Sequence, residues 1–562
     1  MNVIYDMPAE KAPGLVTSHE TDRDWWRGAV IYQIYPRSFQ DTNNDGIGDL
    51  RGITRRLPYV ASLGVDAIWV SPFFKSPMDD FGYDVSDYRA VDPMFGTLAD
   101  FDAMIAEAHR LGLKVMIDQV LSHTSDQHHW FRHSRMDKTN RYADWYVWAD
   151  PKDDGTPPNN WLSIFGGSAW EWDTNRRQYY LHNFLKSQPD LNFHNPDVQE
   201  ALLADVRFWL DRGVDGFRLD TVNFYFHSTG LENNPPLAPE LRNATIAPDV
   251  NPYNHQDHLY DKSQPENLAF LERFRALLDE YPAAAAVGEV GDAQRGLQIV
   301  ADYTAGSDRM HMCYSFDFLS STRLTAERVR EVVQEFEDAA PTGWCCWAFS
   351  NHDVVRHGSR WADHVVDRNG FLKMNATLIL TLRGSVCLYQ GEELGLTEAV
   401  LDFEDLQDPY GIQFWPTFKG RDGCRTPMVW SHNEPNAGFS EGKPWLPVPY
   451  EHLTSTADLQ AEHDDSILQH YRRMLAFRER HQVFAKGSIA FADAPDNVLM
   501  FVREHQGTRM LVVINMSDRP RSVELDDKGW QAVENSPHGD VPRQGDTLEL
   551  APFGAFFATM EA

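Results

Sequence analysis

Eight times along this chain an apolar run of strand length recurs with helix-like segments between, and that rhythm leaves few folds open. AVIYQIYPRSF, VDAIWVSPFF and KVMIDQVLSH read as the first three strands. VDGFRLD, AAAAVGEV, MHMCYSFDF, WCCWAFSNHD and SVCLYQGEELGL read as the other five. LRGITRRLPYVASLG, closing on Gly64, and TLADFDAMIAEAHRLG, closing on Gly112, carry the helical spacing of apolar residues. VQEALLADVRFWLDRG precedes the fourth strand. Strands alternating with helices imply parallel βαβ units, and eight of them imply a (β/α)8 TIM barrel, an α/β fold.

Two stretches break the rhythm. Residues 122–197 hold DPKDDGTPPNNWLSIFGG and many Trp, Asn and Asp residues, too long for an ordinary connection. They read as a small inserted domain after strand three. The barrel then comprises residues 23–121 and 198–482, with its last helix near 464–481. Residues 1–22 read as a loose arm, and 397–460 as irregular. From 483 to 562 the pattern alternates with period two through SIAFADA, VLMFVREH, RMLVVINM, RSVELDD and TLELAPFGAFFATM, as in an all-β sandwich domain.

The bulk chemistry excludes some partners. Fifty-one Lys and Arg face 83 Asp and Glu, a formal charge of −32. Such a surface repels nucleic-acid backbones and anionic membranes. No run reaches the roughly 20 apolar residues of a membrane span, and MNVIYDMPAEKAPG lacks a signal-peptide pattern. The five cysteines, Cys313, Cys345, Cys346, Cys387 and Cys424, contain no CxxC pair and read as buried thiols. That pattern favours a reducing compartment, with the cytoplasm as the expected location. A monomer or a homodimer is expected.

Three carboxylates end strand-like runs: Asp220, Glu289 and Asp353. In a barrel, the C-terminal strand ends are where catalytic groups converge. An acid paired with a second carboxylate is the equipment for glycosidic bond cleavage. Arg218 stands two residues before Asp220, so both point to one face of the strand. The loop DTNNDGIGDL offers oxygens at alternate positions, from Asp41, Asn43, Asp45, the Ile47 carbonyl and Asp49. It resembles the first part of a calcium loop. An EF-hand would carry Glu at its twelfth position, where this chain has Gly52, so one structural Ca²⁺ or Mg²⁺ is expected and no organic cofactor.

MIDQVLSHTS, DGFRLDTVN, VGEV and FSNHD, in this order, resemble the motifs of glycoside hydrolase family 13, the α-amylase family, and its α-glucosidase and oligo-1,6-glucosidase branch. The resemblance runs from Trp25 into the C-terminal domain. It implies that Asp220 is a nucleophile, Glu289 the general acid and base, and Asp353 the carboxylate that steadies the distorted sugar. It implies that His123 and His352 hydrogen-bond that sugar and that Tyr83 stacks on it. Asp80, paired with Arg421, would grip a terminal glucose and close the pocket, with Phe165 as an aromatic wall. Thr221, where α-1,6-preferring relatives carry Val, implies α-1,4 or related linkages.

The implied activity is an exo-acting, retaining α-glucosidase on maltose-like oligosaccharides and α-glucosides, with transfer to hydroxyl acceptors. The alternatives within the family are an oligo-1,6-glucosidase, a sucrose isomerase or a trehalose synthase. FDFLSSTRLTAERV lacks the Arg-rich loop of the isomerases. A non-catalytic transporter heavy chain would lack the acids and carry a membrane helix.

Overall fold

The computed structural model describes residues 22–320, 322–362, 365–525 and 529–561; the expected N-terminal arm therefore lies almost wholly outside the described residues. Eight parallel strands form one sheet: β1 (Val30–Ile34), β2 (Ala67–Val70), β3 (Lys114–Gln119), β4 (Gly216–Leu219), β5 (Ala285–Val290), β6 (Met312–Ser315), β7 (Cys346–Ala348) and β8 (Ser385–Tyr389). Each pairs with its sequence neighbour except β6 and β7, and β1 pairs with β8. A parallel bridge between Cys313 and Cys345 joins β6 to the start of β7, and the sheet closes into a barrel.

The apolar runs follow from that closure, because both faces of each strand are covered. Alternate residues Ile31, Ala67, Trp69, Met116, Ala285, Val287, Met312, Cys346 and Cys387 fill the lumen, over a floor that includes Trp25, Trp26 and Trp344. The intervening residues, among them Tyr32, Ile68, Val115, Ile117, Phe217 and Leu219, pack in the outer core with helix residues such as Ile53, Leu57, Met104 and Trp209. Gly216 is required where β4 meets β5, since a Cβ there would lie 2.2 Å from the Ala285 carbonyl oxygen.

The principal barrel helices are α1 (Leu50–Leu63), α2 (Leu98–Arg110), α3 (Pro196–Asp211), α4 (Asn267–Leu278), α5 (Gly296–Thr304), α6 (Ala326–Ala339), α7 (Arg368–Thr381) and α8 (Ile467–Arg480). Their ends are set locally. Asp49 caps α1 at Gly52 N–H, and Gly64 ends it at φ 91°. Thr97 and Asp100 form a capping box on α2.

Some sequence expectations need correction. The first run stops as a strand at Ile34, because Pro36 opens a short 3₁₀ turn. The second run splits: β2 ends at Val70, and Phe74–Lys75 pairs instead with Asp87–Val91 in a hairpin. TLELAPFGAFFATM is two strands, Thr547–Leu550 and Ala555–Glu561, in different sheets. Pro552 and Phe553, with φ 54°, turn the chain between them.

Between β3 and α3 the chain forms a short helix, His129–Ser134, and a three-stranded antiparallel sheet, Trp148–Ala149, Trp170–Asp173 and Gln178–Leu181. After α8 a five-stranded sheet and a three-stranded sheet enclose Val498, Leu511, Val513, Val523, Leu548, Leu550 and Phe556. The fully buried Arg503 ties this region to the barrel by donating to the carbonyls of Thr381, Phe484 and Gly487.

Candidate active site

The lumen narrows at the C-terminal strand ends to a charged cluster centred on Arg218. This residue is fully buried, and β4 aims it inward in register with Asp118 of β3. Its Nη1 lies 2.8 Å from Asp118 Oδ1 and 2.6 Å from Asp220 Oδ1. Its Nη2 lies 2.7 Å from Glu289 Oε2. One guanidinium thus joins three carboxylates from three adjacent strands. The expected Arg218–Asp220 contact is present, and the cation serves Glu289 as well.

Thr221 bridges the two acids at the ends of β4 and β5. Its N–H donates to Glu289 Oε2 at 3.2 Å, and its hydroxyl donates to Asp220 Oδ2 at 3.3 Å. It adopts φ 38°, ψ 52°. That region is unfavourable for a β-branched side chain, at about 1–3 kcal/mol. Tyr314 of β6 donates to Glu289 Oε1 at 3.0 Å.

Burial pushes Asp220 and Glu289 up, each to about 7, against the pull of Arg218. Asp118 and Asp353 also raise Asp220, and Asp220 and Asp353 also raise Glu289. With both pushed up to about 7, one carboxyl can carry a proton near neutrality while the other is ionised. That is the protonation a nucleophile–acid pair needs.

Asp353 differs. Burial favours its neutral form, but nearby charge overrules burial and holds it well below the ordinary carboxylate range. Its Oδ1 lies 2.8 Å from Arg425 Nη2 and 3.2 Å from Arg421 Nη1. His352 is buried and pushed to its neutral form, so near neutrality Arg421, Arg425 and Arg218 supply this charge. His352 Nε2 meets the Tyr83 hydroxyl at 2.6 Å and Asp353 Oδ2 at 3.2 Å. The Tyr83 ring lies parallel to the imidazole, 3° off, and its hydroxyl donates to Asp118 Oδ2 at 3.0 Å. His123 takes the other end of Tyr83, with Nε2 3.0 Å from its carbonyl oxygen. The two histidines therefore frame one tyrosine.

Asp80 and Arg421 come together from residues far apart in sequence. Arg421 Nη2 donates to Asp80 Oδ1 at 2.8 Å, and Gln188 Nε2 donates to Asp80 Oδ2 at 3.0 Å. The Phe165 ring lies against Tyr410, 4.8 Å between centroids, with the Arg421 guanidinium carbon 5.2 Å from it. Asp84 braces the Asp80 loop by accepting from the N–H groups of Asp79 and Asp80.

Sequence reading missed several members. Asp118 was legible: it is the acidic residue in KVMIDQV, and it has the lumen-facing parity of Met116. Asp408 carried no signal, yet it accepts from Arg421 N–H, Nε and Nη2 at 2.7, 3.0 and 2.8 Å. Arg425, Gln188 and Tyr314 were equally silent.

The Asp41–Asp49 loop sits away from this cluster in role. Asp41 Oδ1 accepts from the N–H groups of Asn43 and Asn44, and its Oδ2 from Gly46 N–H and the Ser440 hydroxyl. Asn43 Oδ1 accepts from Asp45 N–H, and Asp45 Oδ1 from Ile47 N–H. Asp49 is occupied by Gly52 and Thr42. The donor set is all oxygen, which matches a hard cation. Among the described residues no three His, Cys, Asp or Glu side chains are gathered to hold a metal.

Residues 33–487 match the family model for the α-amylase catalytic domain, and residues 489–557 that for the maltogenic amylase C-terminal domain. A probable alpha-glucosidase of Rhizobium meliloti is 64% identical over 96% of this chain and 98% of its own. An oligo-1,6-glucosidase of Heyndrickxia coagulans is 37% identical over 91% and 95%. The crystal structure of an alpha-glucosyl transfer enzyme, XgtA, superposes with a TM-score of 0.93 at 55% identity, covering 96% of this chain and 99% of that one. That of the trehalulose synthase MutB from Pseudomonas mesoacidophila gives 0.85 at 35%, covering 96% and 99%. The carboxylate cluster at the mouth of a (β/α)8 barrel and these matches together establish that the chain belongs to the α-amylase family, glycoside hydrolase family 13, as an α-glucosidase-like enzyme.

Proposed function

We propose that the protein is an exo-acting, retaining α-glucosidase that releases α-glucose from the non-reducing end of short, maltose-like α-glucosides and also transfers glucose to hydroxyl acceptors. The observation that carries this reading is the single Arg218 guanidinium joined to Asp220 and Glu289. Asp220 attacks the anomeric carbon as the glycosidic bond breaks, and Glu289 gives its proton to the departing oxygen. Glu289, now ionised, takes a proton from water or an acceptor hydroxyl. That oxygen attacks the same carbon and frees Asp220. Two inversions retain the α configuration. Asp353, His352, His123 and Tyr83 hold the sugar over the pair.

The Asp80–Arg421 ion pair, fixed by Asp408 and walled by Phe165, supports a pocket closed around one terminal glucose. The likeness to XgtA supports transfer. Incubation with maltose, followed by NMR of the first glucose released, tests the reading. Initial α-glucose is expected, and initial β-glucose would overturn it.

Thr221, whose hydroxyl lies 3.3 Å from Asp220 and 3.2 Å from Ser122 Oγ, stands where α-1,6-preferring relatives carry Val, and that identity supports α-1,4 preference. T221V should raise the ratio of kcat/KM for isomaltose over maltose at least about tenfold. An unchanged ratio excludes that role.

The five cysteines are unpaired and buried, which supports a reducing compartment such as the cytoplasm. Among the described residues no helix is long and apolar enough to cross a membrane.

A structural Ca²⁺ or Mg²⁺ in the Asp41–Asp49 loop is proposed on its oxygen-only donors. EDTA should lower the thermal midpoint by several degrees, Ca²⁺ or Mg²⁺ should restore it, and D45A should not respond. A midpoint of the native chain that ignores chelator contradicts the site.

A further inference from the structure

A buried lysine that the reaction does not use sits behind the catalytic pair. Lys262 lies in the long loop between β4 and α4 and is 2% exposed. Burying an ammonium is costly unless its partners are fixed and close. Its Nζ donates to the Gly291 carbonyl at 2.7 Å and to the Tyr253 hydroxyl at 3.1 Å. It lies 4.0 Å from Asp292 Oδ2 and 4.8 Å above the Phe224 ring. An apolar side chain could fill this volume. The donor at the end of Lys262 also serves the peptide that follows the end of β5.

That peptide is also held from the other strand. Gly291 N–H donates to Asn223 Oδ1 at 2.9 Å, and Asn223 Nδ2 donates to the Gly291 carbonyl at 3.2 Å. Asn223 is fully buried. It stands three residues beyond Asp220, and Gly291 stands two beyond Glu289. Glycine lets the peptide approach, since a Cβ at 291 would meet the Phe224 ring at 3.3 Å. Asn223 also donates to Ser263 Oγ at 2.9 Å, next to Lys262 in sequence. The segments bearing the two carboxylates therefore share one clamp, and Lys262 closes it.

Resting on the α-glucosidase reading above, we propose that Lys262 is a positioning residue that, through Gly291 and Asn223, sets Glu289 against Asp220 for proton delivery to the leaving group. A misplacement of about 1 Å in such a pair costs on the order of 100-fold. The loss should fall on substrates whose departure needs the proton.

The test compares maltose, whose second glucose leaves as an alkoxide unless protonated, with 4-nitrophenyl α-glucoside, whose aglycone leaves as a stabilised phenolate. The full chain is made as wild type, K262M and K262Q, with folded fraction read by circular dichroism. K262M is expected to lose about 100-fold in kcat/KM on maltose and less than about 10-fold on the aryl glucoside. K262Q, which keeps a donor, is expected to recover much of the maltose rate. Equal losses on both substrates, or no loss on maltose, would overturn the assignment. If K262M does not fold, the same ratio in K262Q decides, with its maltose-selective loss smaller. Wild type that turns over neither substrate would sink the glucosidase reading itself, which separates the two failures.

Discussion

D220N should abolish turnover of every α-glucoside, by on the order of 10⁴-fold or more in kcat. That corresponds to about 5 kcal/mol or more of lost transition-state stabilisation. The amide keeps the size of the side chain and can still accept from Thr221, but it cannot form the acylal-type ester on which the two-step route depends. Arg218 retains Asp118 and Glu289 as partners, so the fold should survive. The shorter D220A variant leaves room beside the anomeric carbon. Azide added to it should restore turnover of 4-nitrophenyl α-glucoside and yield β-glucosyl azide, by one inversion. Near-native activity in D220N would remove Asp220 from the nucleophile's role.

E289Q should fall by about 10²–10⁴-fold on maltose, the range of a lost general acid. On 4-nitrophenyl α-glucoside the first step should survive far better, leaving the glucosyl-enzyme to accumulate. Azide should then speed its breakdown and give α-glucosyl azide, the opposite anomer to that from D220A. The pH profile follows from the same pair. Burial raises both carboxyls to about 7. At acid pH Asp220 takes up a proton and stops attacking. At alkaline pH Glu289 loses its proton and stops donating. Wild-type kcat/KM should be bell-shaped with its maximum near neutrality. E289Q should lose the alkaline limb and keep the acid one. A variant that keeps both limbs would show that another group delivers the proton.

The sequence was most legible where physics is local. Strand parity predicted that Arg218 and Asp220 share a face, and they meet at 2.6 Å. Gly64 and Gly112 marked helix ends, and both take positive φ. The eight apolar runs announced a sheet covered on both faces. What stayed hidden depends on long-range closure. Asp408 lies in an irregular stretch, and only the folded chain brings its carboxylate under Arg421. Lys262 carries no signal in its polar loop, and only the fold buries it against Gly291. TLELAPFGAFFATM misled because its composition is strand-like throughout, while the turn at Pro552 and Phe553 sends its halves to two sheets. Thr221 is legible in the sequence by its identity alone. Its left-handed backbone and its bonds to both carboxylates were not visible in the letters.

The central claim is that a glucosyl ester forms on Asp220. Wild-type protein incubated with 5-fluoro-α-glucosyl fluoride, which slows breakdown of the intermediate, can be digested and its peptides sequenced by mass spectrometry. The account predicts one fluoroglucosyl group, carried by the side chain of Asp220 in the peptide containing GFRLDTVNF. A label on Glu289 or Asp353, or full turnover with no label on any residue, would contradict it.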